Sequence, residues 1–524
     1  MRSLLSALLS LSLASPILAQ PERLKPNIVV IMVDDMGYAD LGCYGGEIRT
    51  PNIDALAKGG TRWRSFYNCA QCCPTRASLM TGLYPHQAGI GDMIDAHSLS
   101  TREAAASPAY SDHLSRNAVT IAEALRPAGY QTYMVGKWHL GKNDGQRPLQ
   151  RGFDRYYGII SGADSYWKPT SLRDGDAPVK EFPKDFYATD AFTTKAIEFV
   201  EKRDPKKPFF LYTAYNAPHT PFHVRSKDLE KYKGEYDAGW DEIREKRFAR
   251  QKEMGFWPKD LSLPARSDAA ARWTGSPEQL AEAERMTKYA GIVDRIDQNV
   301  GRLVAALKRS GQLDNTLILF LSDNGAWATP GTYGTEFAET GNTPFRLFKV
   351  FVHEGGIRTP LLAHWPGTIP AGVLNTSRYG HVKDIMATCL DAASVNYPKE
   401  LAGQPIVPLE GQSLLPALKD SKKADNEPLY WERRGHEALR DGPWKIVRFY
   451  GAPNKDPKLL SVGPRVGNWE LYNLDSDPTE SRNLAAEQPT RLAEMVERHA
   501  AWANRVGVIP REQLAARIDA AEKK

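Results

Sequence analysis

The run Asn27-Ile28-Val29-Val30-Ile31-Met32-Val33 is apolar and β-branched almost throughout, follows Pro26, and stops at Asp34-Asp35. A strand with one solvated face alternates apolar and polar residues. This one does not, so both of its faces must be covered, as in the middle of a parallel sheet. Parallel neighbours need crossovers, and helix-like and strand-like segments do alternate along the chain. A helical pattern over 119–126 leads through Pro127-Ala128-Gly129 into a strand over 130–135, Lys207-Pro208 leads into a strand over 209–215, and a helical pattern over 292–307 precedes a strand over 315–321. This is an α/β chain built on a large mixed, mostly parallel sheet flanked by helices. Past residue 400 the pattern changes to short β-like runs over 428–431, 444–450 and 469–474 and a polar helix over 490–506, which predicts a smaller C-terminal α+β domain.

The first residues read Met1-Arg2, an apolar stretch over 4–13, then Ser15-Pro16-Ile17-Leu18-Ala19. That is the order of a cleavable secretory signal, and the apolar stretch is shorter than the roughly 20 residues of a membrane span. The expected organisation is a signal peptide at 1–19, a catalytic domain at 20–400 and a C-terminal subdomain at 401–524, in a protein that is secreted or periplasmic and has no membrane span. Residues 222–288, rich in charges of both signs, read as a solvated helical excursion. With 68 basic and 63 acidic residues among 524 the net charge is only +5, which excludes a nucleic acid as main partner. Five cysteines, at 43, 69, 72, 73 and 389, are too few and too uneven for a disulfide framework, yet three fall within five residues.

That cluster runs into Cys72-Cys73-Pro74-Thr75-Arg76-Ala77-Ser78-Leu79-Met80-Thr81-Gly82. Pro74 is expected to fix a turn and a helix to start near Thr75, with the permanent charge of Arg76 in its first turn beside Cys72, an arrangement suited to an anion. The segment resembles the signature of the type I sulfatases, Cys-x-Pro-x-Arg followed by Thr-Gly. Only one register fits, because Cys69 is followed by Gln71 and Cys73 by Thr75 where proline is required. Further matching segments occur in order from Asn27 to Asn483, and the chain as a whole is similar to the bacterial arylsulfatases of the alkaline phosphatase superfamily.

Asp34-Asp35 and Asp323-Asn324 both follow strand-like runs, so parallel strands bring them to one sheet edge. Four oxygen-bearing side chains form a hard site, suited to Ca²⁺ or Mg²⁺ and poor for Zn²⁺, although either pair alone would more often cap a helix or make a turn. Lys137 and His139 stand two apart and would point the same way if the strand before them continued. The resemblance implies more. Cys72 would be oxidised to formylglycine by a formylglycine-generating enzyme during maturation, and Ca²⁺ would be held by Asp34, Asp35, Asp323, Asn324 and the modified Cys72. Arg76, Lys137, His139, His219 and Lys349 match active-site positions.

The activity implied is hydrolysis of small-molecule or carbohydrate sulfate monoesters. A phosphomonoester or phosphonate monoester hydrolase of the same superfamily and a non-catalytic sulfated-glycan binding protein are the alternatives. The two-zinc histidine constellation of a dedicated phosphatase is not evident, and a decayed binder would lack the cysteine or a metal ligand, whereas all ten positions are filled. Tyr166, Trp167, Trp240 and Trp257 are aromatic candidates for stacking on a substrate ring.

Overall fold

The computed structural model describes residues 25–94, 102–103, 105–266, 271–328, 332–423, 425–451 and 467–522; the expected signal peptide lies outside them. Among the described residues an eleven-stranded sheet runs through the larger part of the chain. The strand Asn27–Val33 is buried along its whole length and pairs in parallel with Phe209–Ala214 on one side and Thr316–Ser322 on the other. Gln131–Gly136 continues the parallel set beyond Phe209–Ala214 and pairs with Arg155–Ile159. Beyond Thr316–Ser322 the strands Arg358–His364 and Thr61–Tyr67 join antiparallel, so the sheet is mixed. Val29, Ile31 and Val33 feed a core on one face while Ile28, Val30 and Met32 feed a core on the other. Two covered faces are what an uninterrupted apolar strand requires.

The register of these strands decides where the chemistry lies. Val33 stands opposite Ser322, Met32 opposite Ala214, and Ala214 opposite Gly136. Four parallel strands therefore end nearly level. The segments leaving those ends (Asp34-Asp35, Asp323-Asn324, the loop to His219, and Lys137 to His139) emerge along one edge, where open α/β sheets place ligands.

Residues 222–288 are exposed at many of their described positions, as expected, but the segment is also anchored by buried charges. In the helix Trp240–Glu253, Arg247 is fully buried and donates to Asp40 Oδ1 at 2.6 Å and to the two Glu47 oxygens at 2.7 and 2.8 Å. Charges that pair inside a protein look, in sequence, like charges that face water. Trp240 and Trp257 are core residues, packed edge-on against Phe337 and Phe345 respectively. The crossover helix Pro277–Arg309 begins well before residue 292, at a capping box in which Ser276 Oγ accepts the Gln279 N–H.

The C-terminal part is an antiparallel sheet of Leu429–Arg433, His436–Asp441, Trp444–Arg448 and Trp469–Asn473, with the helix Pro489–Val506 packed on it. The strand His436–Asp441 and the last helix, Arg511–Glu522, go unpredicted because neither carries an apolar run; the buried residues of that strand include His436, Ala438 and Arg440, which give little β signal. No helix among the described residues is long and apolar enough to cross a membrane.

Replacing Arg247 by Met leaves Asp40 and Glu47 without their buried counter-charge and should lower stability by about 3–5 kcal/mol. The exposed Arg302→Met should stay within about 0.5 kcal/mol, both read from denaturant midpoints.

Candidate active site

The helix Cys72–Thr81 is buried along its whole length and starts at Cys72, three residues earlier than expected, so Pro74 sits inside the first turn rather than before it. Its missing N–H is harmless there, since first-turn donors have no partner within the helix. Arg76 follows one turn after Cys72 on the same helix face. Its Nη2 lies 2.8 Å from Asp323 Oδ2 and 3.4 Å from Asp34 Oδ2, which ties the helix to the ends of two strands.

Lys137 Nζ reaches Asp34 Oδ2 at 2.6 Å, and Lys349 Nζ reaches Asp35 Oδ1 at 2.6 Å. Asn324 Nδ2 donates to the same Asp35 oxygen at 2.6 Å, and His219 Nε2 stands 3.5 Å from Asp35 Oδ2. The strand before Lys137 ends at Gly136, so Lys137 and His139 are not presented by a continuing strand. Gly136 and His139 both have positive φ, at 94° and 52°, and the chain bends to bring His139 against Cys72. Asp35 also has positive φ, at 68°, and its N–H donates to Asp323 Oδ1 at 3.2 Å. Two non-glycine site residues in left-handed conformations, at a cost of roughly 1–2 kcal/mol each, are strain held by the surrounding contacts. All ten predicted residues thus meet on one edge.

The electrostatics follow from packing charges in a dry place. Burial alone would raise the Asp34 carboxyl, but Lys137, His219 and Arg76 outweigh it and hold the group down to about 2. Asp323 goes the other way: burial, then the charge of Asp34, push it well above the carboxylate range. Burial, with Lys137 and Arg76, lowers His139. The Cys73 thiol, hydrogen-bonded to Cys72, and then Lys137, Lys349 and His139 hold the Cys72 thiol well below its usual range against the effect of burial. Cys72 here is the precursor side chain of any modified residue.

Three of the four carboxylate and amide residues among the five expected metal ligands present a buried oxygen with no hydrogen-bond partner: Asp34 Oδ1, Asp35 Oδ2 and Asn324 Oδ1. Buried acceptors are rarely left so, and oxygens of this kind suit a hard divalent cation. Asp34, Asp35 and His219 each place a donor atom within 4.8 Å of the others. The fourth residue, Asp323, has both oxygens engaged, by Arg76 and by the Asp35 amide. The residues fit the ion.

Two further residues that belong to no motif border the site. Met93 Sδ lies 3.9 Å from Cys72 Sγ and 3.3 Å from Cys73 Sγ. A Cβ at Gly162 would come within 2.5 Å of the His139 ring, so that position must stay bare. Neither carries a signal that a single sequence could reveal. Tyr166 is buried and supports the site from behind, its hydroxyl donating to the His219 carbonyl, rather than standing open for stacking.

A water-poor cup of cations around hard-cation oxygens, at the carboxyl edge of such a sheet, defines an ester hydrolase of the alkaline-phosphatase-like fold. The sulfatase family model matches residues 26–395, and a model of the N-sulphoglucosamine sulphohydrolase C-terminal region matches 345–500. An uncharacterized sulfatase of Schizosaccharomyces pombe is 31% identical, over 94% of this chain and 95% of its own. The arylsulfatase of Klebsiella aerogenes is 32% identical, over 78% of this chain and 95% of its own. The crystal structure of Ps i-CgsB in complex with k-i-k-neocarrahexaose superimposes with a TM-score of 0.67 at 30% identity, covering 91% of this chain and 93% of that one. The chain belongs to the sulfatase family and is a sulfuric ester hydrolase.

The depressed Asp34 contributes stability that is present above the ordinary carboxylate pKa of about 4 and is lost as pH falls through about 2. Asp34→Asn should flatten that part of the acid-unfolding profile, measured as denaturant midpoint against pH.

Proposed function

We propose that this enzyme hydrolyses sulfate monoesters of the arylsulfatase type to release inorganic sulfate, with Cys72 converted to formylglycine and a Ca²⁺ ion, or Mg²⁺ in its place, held beside it. The observation that carries this reading is that the first turn bearing Cys72 meets buried Arg76, Lys137 and Lys349 together with the three unpartnered oxygens of Asp34, Asp35 and Asn324. Asp323 would complete the ligand set. When present, the ion supplies charge stabilisation at a sulfuryl oxygen, and the hydrated aldehyde supplies two hydroxyls on one carbon, one to attack sulfur and one whose deprotonation frees sulfate.

The remaining work falls to side chains. Lys137 and Lys349 each give one N–H to a carboxylate, leaving others for the non-bridging oxygens of a sulfate, and Arg76 adds permanent charge behind residue 72. His219 Nδ1–H donates to the Thr220 carbonyl at 2.7 Å, which orients the ring, and in the imidazolium form Nε2 carries the proton handed to the departing oxygen. His139, against residue 72, accepts the proton released in the second half of the reaction.

The relatives' names span aryl sulfate and, for the solved complex, an oligosaccharide ligand, which supports a leaving group that is an aryl or sugar ring. The segment at 1–19 supports export to the periplasm or the exterior, and modification of Cys72 would require a formylglycine-generating enzyme during maturation.

Mass analysis of the residue-72 peptide should find the aldehyde in place of the thiol. Nitrophenyl sulfate should be turned over faster than nitrophenyl phosphate, and chelation should abolish activity that Ca²⁺ restores. Cys72→Ser should stall after sulfation, with steady-state turnover down by about 10³-fold or more. Wild-type turnover in Cys72→Ser, or a preference for the phosphate ester, would refute the proposal.

A further inference from the structure

The cup is closed on most sides. The side chains of Asp34, Arg76 and Lys137 are fully buried, whereas that of His219 keeps 16% of its surface exposed. Of these groups His219 is the most exposed, so the opening lies on its side of Asp35, the carboxylate it shares with Lys349. A sulfate seated on the cations must send its bridging oxygen, and whatever that oxygen carries, out through this side.

Trp327 adjoins Lys349, the cation that shares Asp35 with His219. The Lys349 ammonium lies 5.2 Å from its ring centroid, and the indole is half-buried, packed in part against the core and in part open. Its backbone neighbourhood is fixed: the Lys349 N–H donates to the Ala326 carbonyl at 3.0 Å, and the Ala326 N–H donates to Asn342 Oδ1 at 3.0 Å. One contact thus separates a large, partly open aromatic surface from a cation of the cup. An indole beside an ammonium offers flat apolar area with a polarised face, which suits an aryl ring or the C–H face of a pyranose.

We propose that Trp327 is a specificity-determining residue that stacks on the ring attached to the ester oxygen. The inference rests on the sulfate-ester reading for where the anion sits, and it names the part of the substrate that the cup does not hold. It predicts a preference for flat cyclic leaving groups over short acyclic ones, set by this side chain and separable from anion binding.

Calorimetric titration of the intact protein with benzenesulfonate, methanesulfonate and inorganic sulfate tests this without turnover, because sulfonates are not hydrolysed. The wild type should bind benzenesulfonate about tenfold more tightly than methanesulfonate. Trp327→Ala should erase that preference while leaving the affinity for inorganic sulfate within about twofold, and Trp327→Phe should retain most of the preference. A wild type without the preference, or a preference that survives in Trp327→Ala, overturns the proposal. So does a parallel loss of inorganic sulfate affinity in Trp327→Ala, which would make the indole a prop for Lys349. Failure of the sulfate-ester reading would appear separately, as absence of sulfate release from esters by the wild type.

Discussion

The guanidinium of Arg76, set between Asp34 and Asp323, is the interaction on which the catalytic edge depends. It joins the helix bearing Cys72 to the ends of two parallel strands, and none of the three side chains reaches water. Ion pairs in such a place stabilise little by themselves, since desolvation offsets most of the attraction, but removing one partner strands the others at a cost of about 3–5 kcal/mol. The arrangement fixes position more than it adds stability. Lys137 on Asp34 and Lys349 on Asp35 repeat the device, so each cation is placed by the carboxylate it partly neutralises.

Charge placement of this kind needs a backbone that holds unfavourable conformations. Asp35 and His139 occupy left-handed φ without being glycine, and both sit where a level strand end gives way to the site. The extended strands behind them supply the rigidity. Paired residue by residue along Asn27–Val33, they leave the turns little freedom to relax. Asp40 adds a brace from below, accepting the Gly37 N–H at 2.8 Å and the Tyr289 hydroxyl at 2.6 Å.

Much of this was legible in the residues. The uninterrupted run at 27–33 announces a doubly covered strand, and the alternation of helix and strand around it implies parallel neighbours, so topology alone brings Asp34-Asp35 to Asp323-Asn324. The motif at Cys72 selects the position that meets them. The features that stayed hidden did so for physical reasons. Residues 222–288 carry as many charges as a solvated surface would, and only tertiary contact shows that Arg247 faces inward to Asp40 and Glu47. The bend after Gly136 depends on φ values that Lys137-Trp138-His139 do not advertise. Gly162 matters because of a ring that reaches it from another strand's end, and Trp327 because of an ammonium distant along the chain.

Among the contacts that join the C-terminal sheet to this edge is one buried lysine. Lys445 Nζ lies 2.8 Å from Glu354 and 2.8 Å from Glu480, and Glu480 also accepts the Glu354 backbone N–H at 2.9 Å. Glu354 opens the short helix just after the loop carrying Lys349. The smaller sheet is therefore no detachable module: its ammonium neutralises the carboxylate at the root of the loop that delivers a cup residue. A rearrangement of the chain that separated the two halves, whether by fusion, permutation or proteolytic nicking, would have to keep that three-residue joint closed.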